Sequence, residues 1–357
     1  MKNTILLPAL AVLLAPFLTP LSPFQALAQS PASPNADEID ASIERGLKFL
    51  KQGQLDNGDF NSDLSRKVPG IAGLCGMAFL AKGYLPGEGE YGEVLNKCIE
   101  AVLRRAEADQ WKYMGGQDGR MYSHAICTLF LSEVSGMANN PELQKRIDNV
   151  LPSATKIILN AQGVPKDDNQ KGGWRYNPNS NDSDLSCSGW CLMALRSAYI
   201  NGAPVPVSAI EEAVRYILRR HNSQKGTFGY QGNEDYAATL SGAAILCLAL
   251  CGQHNNPAIP RGVRYLMSSY ANLPHQDRTF YGMYYTAQGL FQYGGREWET
   301  FAKWMYDYWI PRQTNDGAWN KGEENCPYYQ TAMVVLAFAV PYRQLPIYQR
   351  DETVDQE

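Results

Sequence analysis

One short pattern recurs four times in this chain and constrains its fold more than any other feature. Phe60 follows Gly58 and, six residues back, Gln54; Trp174 follows Gly172 and Asp168; Phe228 follows Gly226 and Asn222; Trp319 follows Gly317 and Gln313. The intervals between these aromatics fit two, one and two copies of a unit of about 45 to 57 residues. Weaker copies fall in "QWKYMGGQDG" at 110–119 and "PHQDRTFYG" at 274–282.

Each joint is preceded by apolar residues at helical spacing, as in Ile39, Ile43, Leu47 and Leu50, in Ile147, Val150, Leu151, Ala154 and Ile158, or in Ile210, Ala213, Val214 and Ile217. A stripe of that kind predicts an outer helix with one buried face. Each joint is followed by a uniformly apolar, small-residue segment: 71–81, 125–134, 188–198, 241–250, 286–291 and 331–339. Such segments predict inner helices buried on all sides. Strand-like alternation of useful length is absent. The predicted fold class is therefore all-α, an α6/α6 toroid of about six helical hairpins spanning 39–345, because hairpins that each bury one helix completely must stack and can close into a ring.

The ends of the chain read differently. Lys2, the apolar run Ile5 to Leu18 and Ala26-Leu27-Ala28 predict a signal peptide over 1–28, then a flexible leader over 29–38, and a charged tail over 346–357. Export to the periplasm or the extracellular space is expected. The formal charge is −4, which argues against nucleic acid as a partner, and no segment is long and apolar enough to span a membrane. Cysteines number 8, too few for a disulfide scaffold at this length; Cys187/Cys191 and Cys247/Cys251 read as small buried hydrophobes, with one bridge between neighbouring helices left open.

The stretch "RGLKFLKQGQLDNGDF" at 45–60 resembles the QW repeat of the terpenoid cyclase and protein prenyltransferase superfamily. "MYSHAICTLFLSEVSGM" at 121–137, "GGWRYNPNSNDSDLSCSGWCLMALRSA" at 172–198 and the text from Tyr281 to Trp298 resemble exported bacterial prenyltransferase/squalene-oxidase-repeat proteins. That resemblance implies an α/α toroid and two chemistries to weigh. The cyclase acid cluster, Asp-x-Asp-Asp-Thr, would place its first acid on Asp184 but sets Ser186, Cys187 and Ser188 at the next three positions. The prenyltransferase zinc site would use Asp184 and Cys187, at altered spacing, and finds Tyr328, Tyr329 and Gln330 where a histidine is wanted. Neither set is complete, so no metal and no cofactor is expected.

The polar and aromatic residues gathered at the inner-helix starts form an expected acidic, aromatic-lined ring mouth. Asp184, Asp182 and His124 are the candidate catalytic residues; Tyr176, Ser186, Tyr230, Asp235, Tyr284, Tyr285, Tyr328 and Tyr329 are the candidate ligand-binding ones. Helix capping competes with chemistry for Asp184 and Ser186, and Glu133, an acid inside an apolar segment, is expected to bond a neighbouring joint. Three functions stay open: a module binding a small molecule, glycan or peptide; a noncanonical terpene-cyclase-like enzyme with Asp184 or Asp182 as acid; and a toroid-type polysaccharide hydrolase or lyase pairing Asp184 with Asp235.

Overall fold

The computed structural model describes residues 36–320 and 326–348. The expected signal peptide, most of the leader and the tail from residue 349 lie outside those residues. In chain order the helices are α1 (Ala36–Gly53), the short α2 (Asp63–Lys67), α3 (Gly70–Ala81), α4 (Gly92–Ala108), α5 (Arg120–Val134), α6 (Pro141–Gln162) and α7 (Leu185–Ile200). They continue as α8 (Val207–Arg219), α9 (Ala237–Leu250), α10 (Ala258–Ser269), α11 (Thr279–Tyr293), α12 (Gly295–Trp309) and α13 (Pro327–Phe338). Among the described residues, β pairing is confined to isolated bridges at three joints.

The inner helices close a cycle. Helix α3 packs on α5, α5 on α7, α7 on α9, α9 on α11, α11 on α13, and α13 returns to α3. Outside them stand α1, α4, α6, α8, α10 and α12, each against its own inner neighbour. The sequence explains the division. Every residue of α3 is buried, whereas α8 buries only Ile210, Ala213, Val214, Tyr216 and Ile217 and leaves its other face in water. The chain folds as an α/α toroid.

The joints explain the recurring glycine and glutamine. Gly172 has φ +88°, and a Cβ there would lie 2.3 Å from the carbonyl oxygen of Glu212 on the next outer helix. Only glycine allows both the turn and the approach. Gly317, φ +93°, makes the same approach to the carbonyl of Arg45, back on α1. The glutamine side chains bind the same strip of backbone: Gln54 Nε2 donates to Val94 O (3.0 Å), Gln162 Nε2 to Ala209 O (2.8 Å) and Gln313 Nε2 to Ser42 O (2.9 Å). Gln162, rather than Asp168, is thus the partner of the Trp174 joint; a longer loop separates it from the tryptophan. In the Phe228 joint His221, rather than Asn222, holds that place and pairs with Phe228.

A second tie lies beneath each aromatic. The backbone N–H of Phe60 donates to Ser65 Oγ, that of Trp174 to Ser188 Oγ, that of Phe228 to Ser241 Oγ and that of Trp319 to Thr331 Oγ1, all at 2.9–3.1 Å. The Trp174 indole also donates to Ile158 O at 2.7 Å. The fifth joint departs from this plan, since a 3-10 helix over Tyr270–His275 leads into α11.

Aromatic side chains fill the axis of the ring. Trp190 of α7 stacks on Tyr284 of α11, centroids 5.7 Å apart and planes 6° from parallel, and meets Tyr285 edge-on at 5.4 Å. From the opposite end the chain folds in as a 3-10 helix, Pro346–Tyr348. Its Tyr348 hydroxyl touches that of Tyr284, and its Ile347 N–H donates to the Glu133 carboxylate at 3.1 Å. Residues 346–348 therefore belong to the packed body instead of the tail. Glu133 also accepts from Ser197 of α7, so its partners are an inner helix and this terminal turn, not a joint. Burial pushes its carboxyl up to about 7.

Candidate functional site

The mouth of the ring is built where the joints hand the chain to the inner helices. The N–H of Met121, at the start of α5, donates to Tyr176 O, and that of Leu185, at the start of α7, donates to Tyr230 O. These two inner-helix starts are thus satisfied by the joint of the following unit, which answers the need of a helix N-terminus for acceptors. The same pairing draws tyrosines from successive units to one rim.

Asp184 lies at the centre. It is the N-cap of α7, 0 % exposed, and its Oδ1 accepts from Cys187 N at 2.8 Å and from the Tyr122 hydroxyl at 3.4 Å. Its Oδ2 stands 3.3 Å from Arg175 Nε. The angle of that contact falls short of a hydrogen bond, leaving a charge contact. Burial raises the carboxyl to about 6, against the lowering pull of the Cys187 N–H and of Arg175.

Arg175 joins the two aspartates. Its Nη1 reaches Asp182 Oδ2 at 2.6 Å, and its guanidinium lies 4.7 Å from the Tyr176 ring centroid and 5.6 Å from that of Tyr230. The Tyr176 and Tyr230 hydroxyls touch each other. Gln231 Nε2 adds a 3.2 Å bond to Asp182. Below them Ser186 Oγ donates to the Tyr281 hydroxyl at 2.8 Å, linking α7 to α11 and forming the floor of the mouth.

Of the residues expected from sequence, the structure brings together Asp182, Asp184, Tyr176, Ser186 and Tyr230. The others go elsewhere. His124 is fully buried as the acceptor of the second joint: its Nδ1 takes the Met114 N–H at 3.1 Å, which leaves Nε2 protonated and donating to Ala154 O at 3.0 Å. Burial lowers its pKa to about 4. With both nitrogens engaged it offers no base to the rim. Tyr284 and Tyr285 fill the axis instead of facing the mouth. Tyr328 is wedged between Phe49 and Phe60, in the part of the ring where α1 meets α13, and Tyr329 adjoins it in α13. Asp235 is exposed, and its backbone carbonyl accepts from Tyr230 N.

Sequence reasoning missed Arg175, Tyr122 and Tyr281. Arg175 follows the joint tryptophan directly and Tyr122 stands two residues before His124, the acceptor of the second joint; neither position by itself marks a functional side chain. Among the described residues no group of histidines, cysteines or acids is arranged to hold a metal, all eight thiols are free, and no helix is long and apolar enough to cross a membrane.

No family model matches the sequence, and no curated protein does. Solved structures share the fold. Type II terpene cyclase MstE from Scytonema superposes with TM-score 0.57 at 14% identity, over 87% of this chain and 99% of that one. A variant of that cyclase in complex with geranylgeranyl dihydroxybenzoate gives 0.57 at 12%, over 87% and 99%. An inactive variant of an α-1,6-mannanase from Salegentibacter sp. HEL1_6, in complex with α-1,6-mannotriose, gives 0.61 at 11%, over 85% and 99%. At these identities the likeness is one of fold.

Proposed function

We propose that this chain is an exported binding toroid of the prenyltransferase/squalene-oxidase-repeat kind whose mouth takes a polyhydroxylated, glycan-type ligand. The observation that carries the reading is a furnished rim above a filled axis. Tyr176 and Tyr230 stand half-buried beside Asp182 and Arg175, while Trp190 and Tyr284 close the space beneath. Tyrosine rings stack on the C–H faces of a sugar, and carboxylate, guanidinium and phenol groups bond its hydroxyls. A polyprene would need a deep apolar cavity along the axis, and side chains occupy that volume. A mannanase variant that shares the fold is in complex with α-1,6-mannotriose, so a toroid of this kind can take a glycan.

A second reading has its own observation. The buried Asp184 carboxyl holds a proton more readily than an exposed one, as a general acid requires. Its Oδ1 is already engaged by Cys187 and Tyr122, the arrangement of a cap, its Oδ2 is held in a charge contact with Arg175, and its proposed partner Asp235 stands in solvent on a loop. The binding reading is therefore preferred.

Calorimetric titration with neutral oligosaccharides tests the choice. Wild type is expected to bind, and Tyr230→Ala and Asp182→Asn each to weaken binding about tenfold or more with little change in melting temperature. Equal binding by wild type and both variants, or no binding by wild type, would reject it. Release of reducing ends, lost in Asp184→Asn, would favour the second reading.

A further inference from the structure

Two exposed residues flank the Tyr176–Tyr230 pair in a backbone conformation that their side chains disfavour. Arg120 has φ +51° and Tyr236 φ +54°, the left-handed region in which Cβ crowds the backbone. Glycine or asparagine would make either turn with less strain. Gly119 stands beside Arg120 in the ordinary right-handed region, so a glycine is adjacent and the turn is still made by the arginine.

The positions of the two side chains are connected. The Arg120 guanidinium lies 5.7 Å from the Tyr176 ring centroid. The Tyr236 ring meets Tyr230 edge-on at 5.8 Å. With the Tyr176 and Tyr230 hydroxyls in contact, Arg120, Tyr176, Tyr230 and Tyr236 form one continuous row across three consecutive units. Left-handed residues also stand at Lys112, Arg278 and Arg343, so the conformation alone marks no site; what sets Arg120 and Tyr236 apart is that their side chains border the tyrosine pair and that Tyr236 keeps its ring 57 % exposed there.

Resting on the glycan reading above, we infer that Arg120 and Tyr236 are the end subsites of the mouth, and that the ligand is an extended, linear oligosaccharide laid along this row. The central pair holds one sugar. The two strained residues receive its neighbours on either side, the ring of Tyr236 by stacking and the guanidinium of Arg120 by hydrogen bonds to hydroxyls.

The test uses the full chain and two series of linear oligosaccharides, α-1,6-mannosyl and β-1,4-glucosyl, from disaccharide to hexasaccharide. Wild type is expected to bind longer members of one series more tightly. Tyr236→Gly and Arg120→Gly are each expected to weaken hexasaccharide binding about tenfold, to leave disaccharide binding unchanged, and to hold or raise the melting temperature. Unchanged hexasaccharide affinity in both variants overturns the inference, as does a loss at every length accompanied by a lower melting temperature. A wild type that binds all lengths alike overturns it while leaving the glycan reading standing. A wild type that binds neither series overturns both.

Discussion

Trp190 and Tyr284 lie face to face, 5.7 Å apart and 6° from parallel, although the helices that carry them are separated in the ring by α9. The contact spans the axis and makes the interior a core in place of a channel. Trp190→Ala should therefore cost about 3–5 kcal/mol, as for other buried aromatics, through lost transfer energy and the cavity left behind. Urea denaturation checks it; a loss below about 1 kcal/mol would mean that the indole fills no core.

The joint glycines should tolerate no side chain. In Gly172→Ala the new methyl would meet the Glu212 carbonyl, and the positive φ adds strain, so the loss should exceed about 1 kcal/mol. Gly317→Ala should lose a similar amount although it lies in a different unit. Thermal unfolding of both variants decides the matter.

His124 should make the protein sensitive to acid. Its folded pKa of about 4 lies below the ordinary 6.5, so above 6.5 both folded and unfolded forms are neutral and the group contributes no pH dependence. As the pH falls from 6.5 to 4 only the unfolded chain takes up the proton, and stability is lost. His124→Gln should flatten that slope and cost about 1–3 kcal/mol at neutral pH, because Met114 N–H and Ala154 O lose their fitted partner. Equilibrium unfolding across this range measures both effects.

Asp184 should act with the opposite sign. Its folded pKa of about 6 lies above the ordinary 3.8, so its contribution is greatest below 3.8 and is lost as the pH rises through 6. Asp184→Asn should abolish that dependence while changing stability at neutral pH by no more than about 1 kcal/mol, because asparagine caps a helix as well as aspartate does. An unaltered pH profile would show that the carboxyl does not titrate in this window.

The toroid was legible because its causes are local and repeated. Apolar stripes, small-residue segments and Gly-x-aromatic joints each state one requirement of a closed ring of hairpins. The placement of the candidate residues was legible in part. Asp184 could be read as the cap before an apolar run, and Tyr176 and Tyr230 because each follows a joint aromatic by two residues. Arg175 could not, since its importance comes from Asp182 and Asp184 folding back on it across a loop. His124 was misread for a physical reason: in four joints a hydroxyl receives the N–H beneath the aromatic, and in the second an imidazole takes that place. The Gln162 tie was hidden for another. What fixes it is the carbonyl of Ala209, which a longer loop reaches as well as a short one.

The approach of Gly317 to Arg45 has a consequence in time. The seat for the last joint is on the first outer helix, so the apolar stripe of α1 stays uncovered until almost the whole chain has been made. An open stack of hairpins could assemble progressively and fray from either end. Here the final contact unites residues from opposite ends of the chain, and its loss frees two units at once. Unfolding should begin at this seam, and hydrogen exchange should find α1 and α13 opening together.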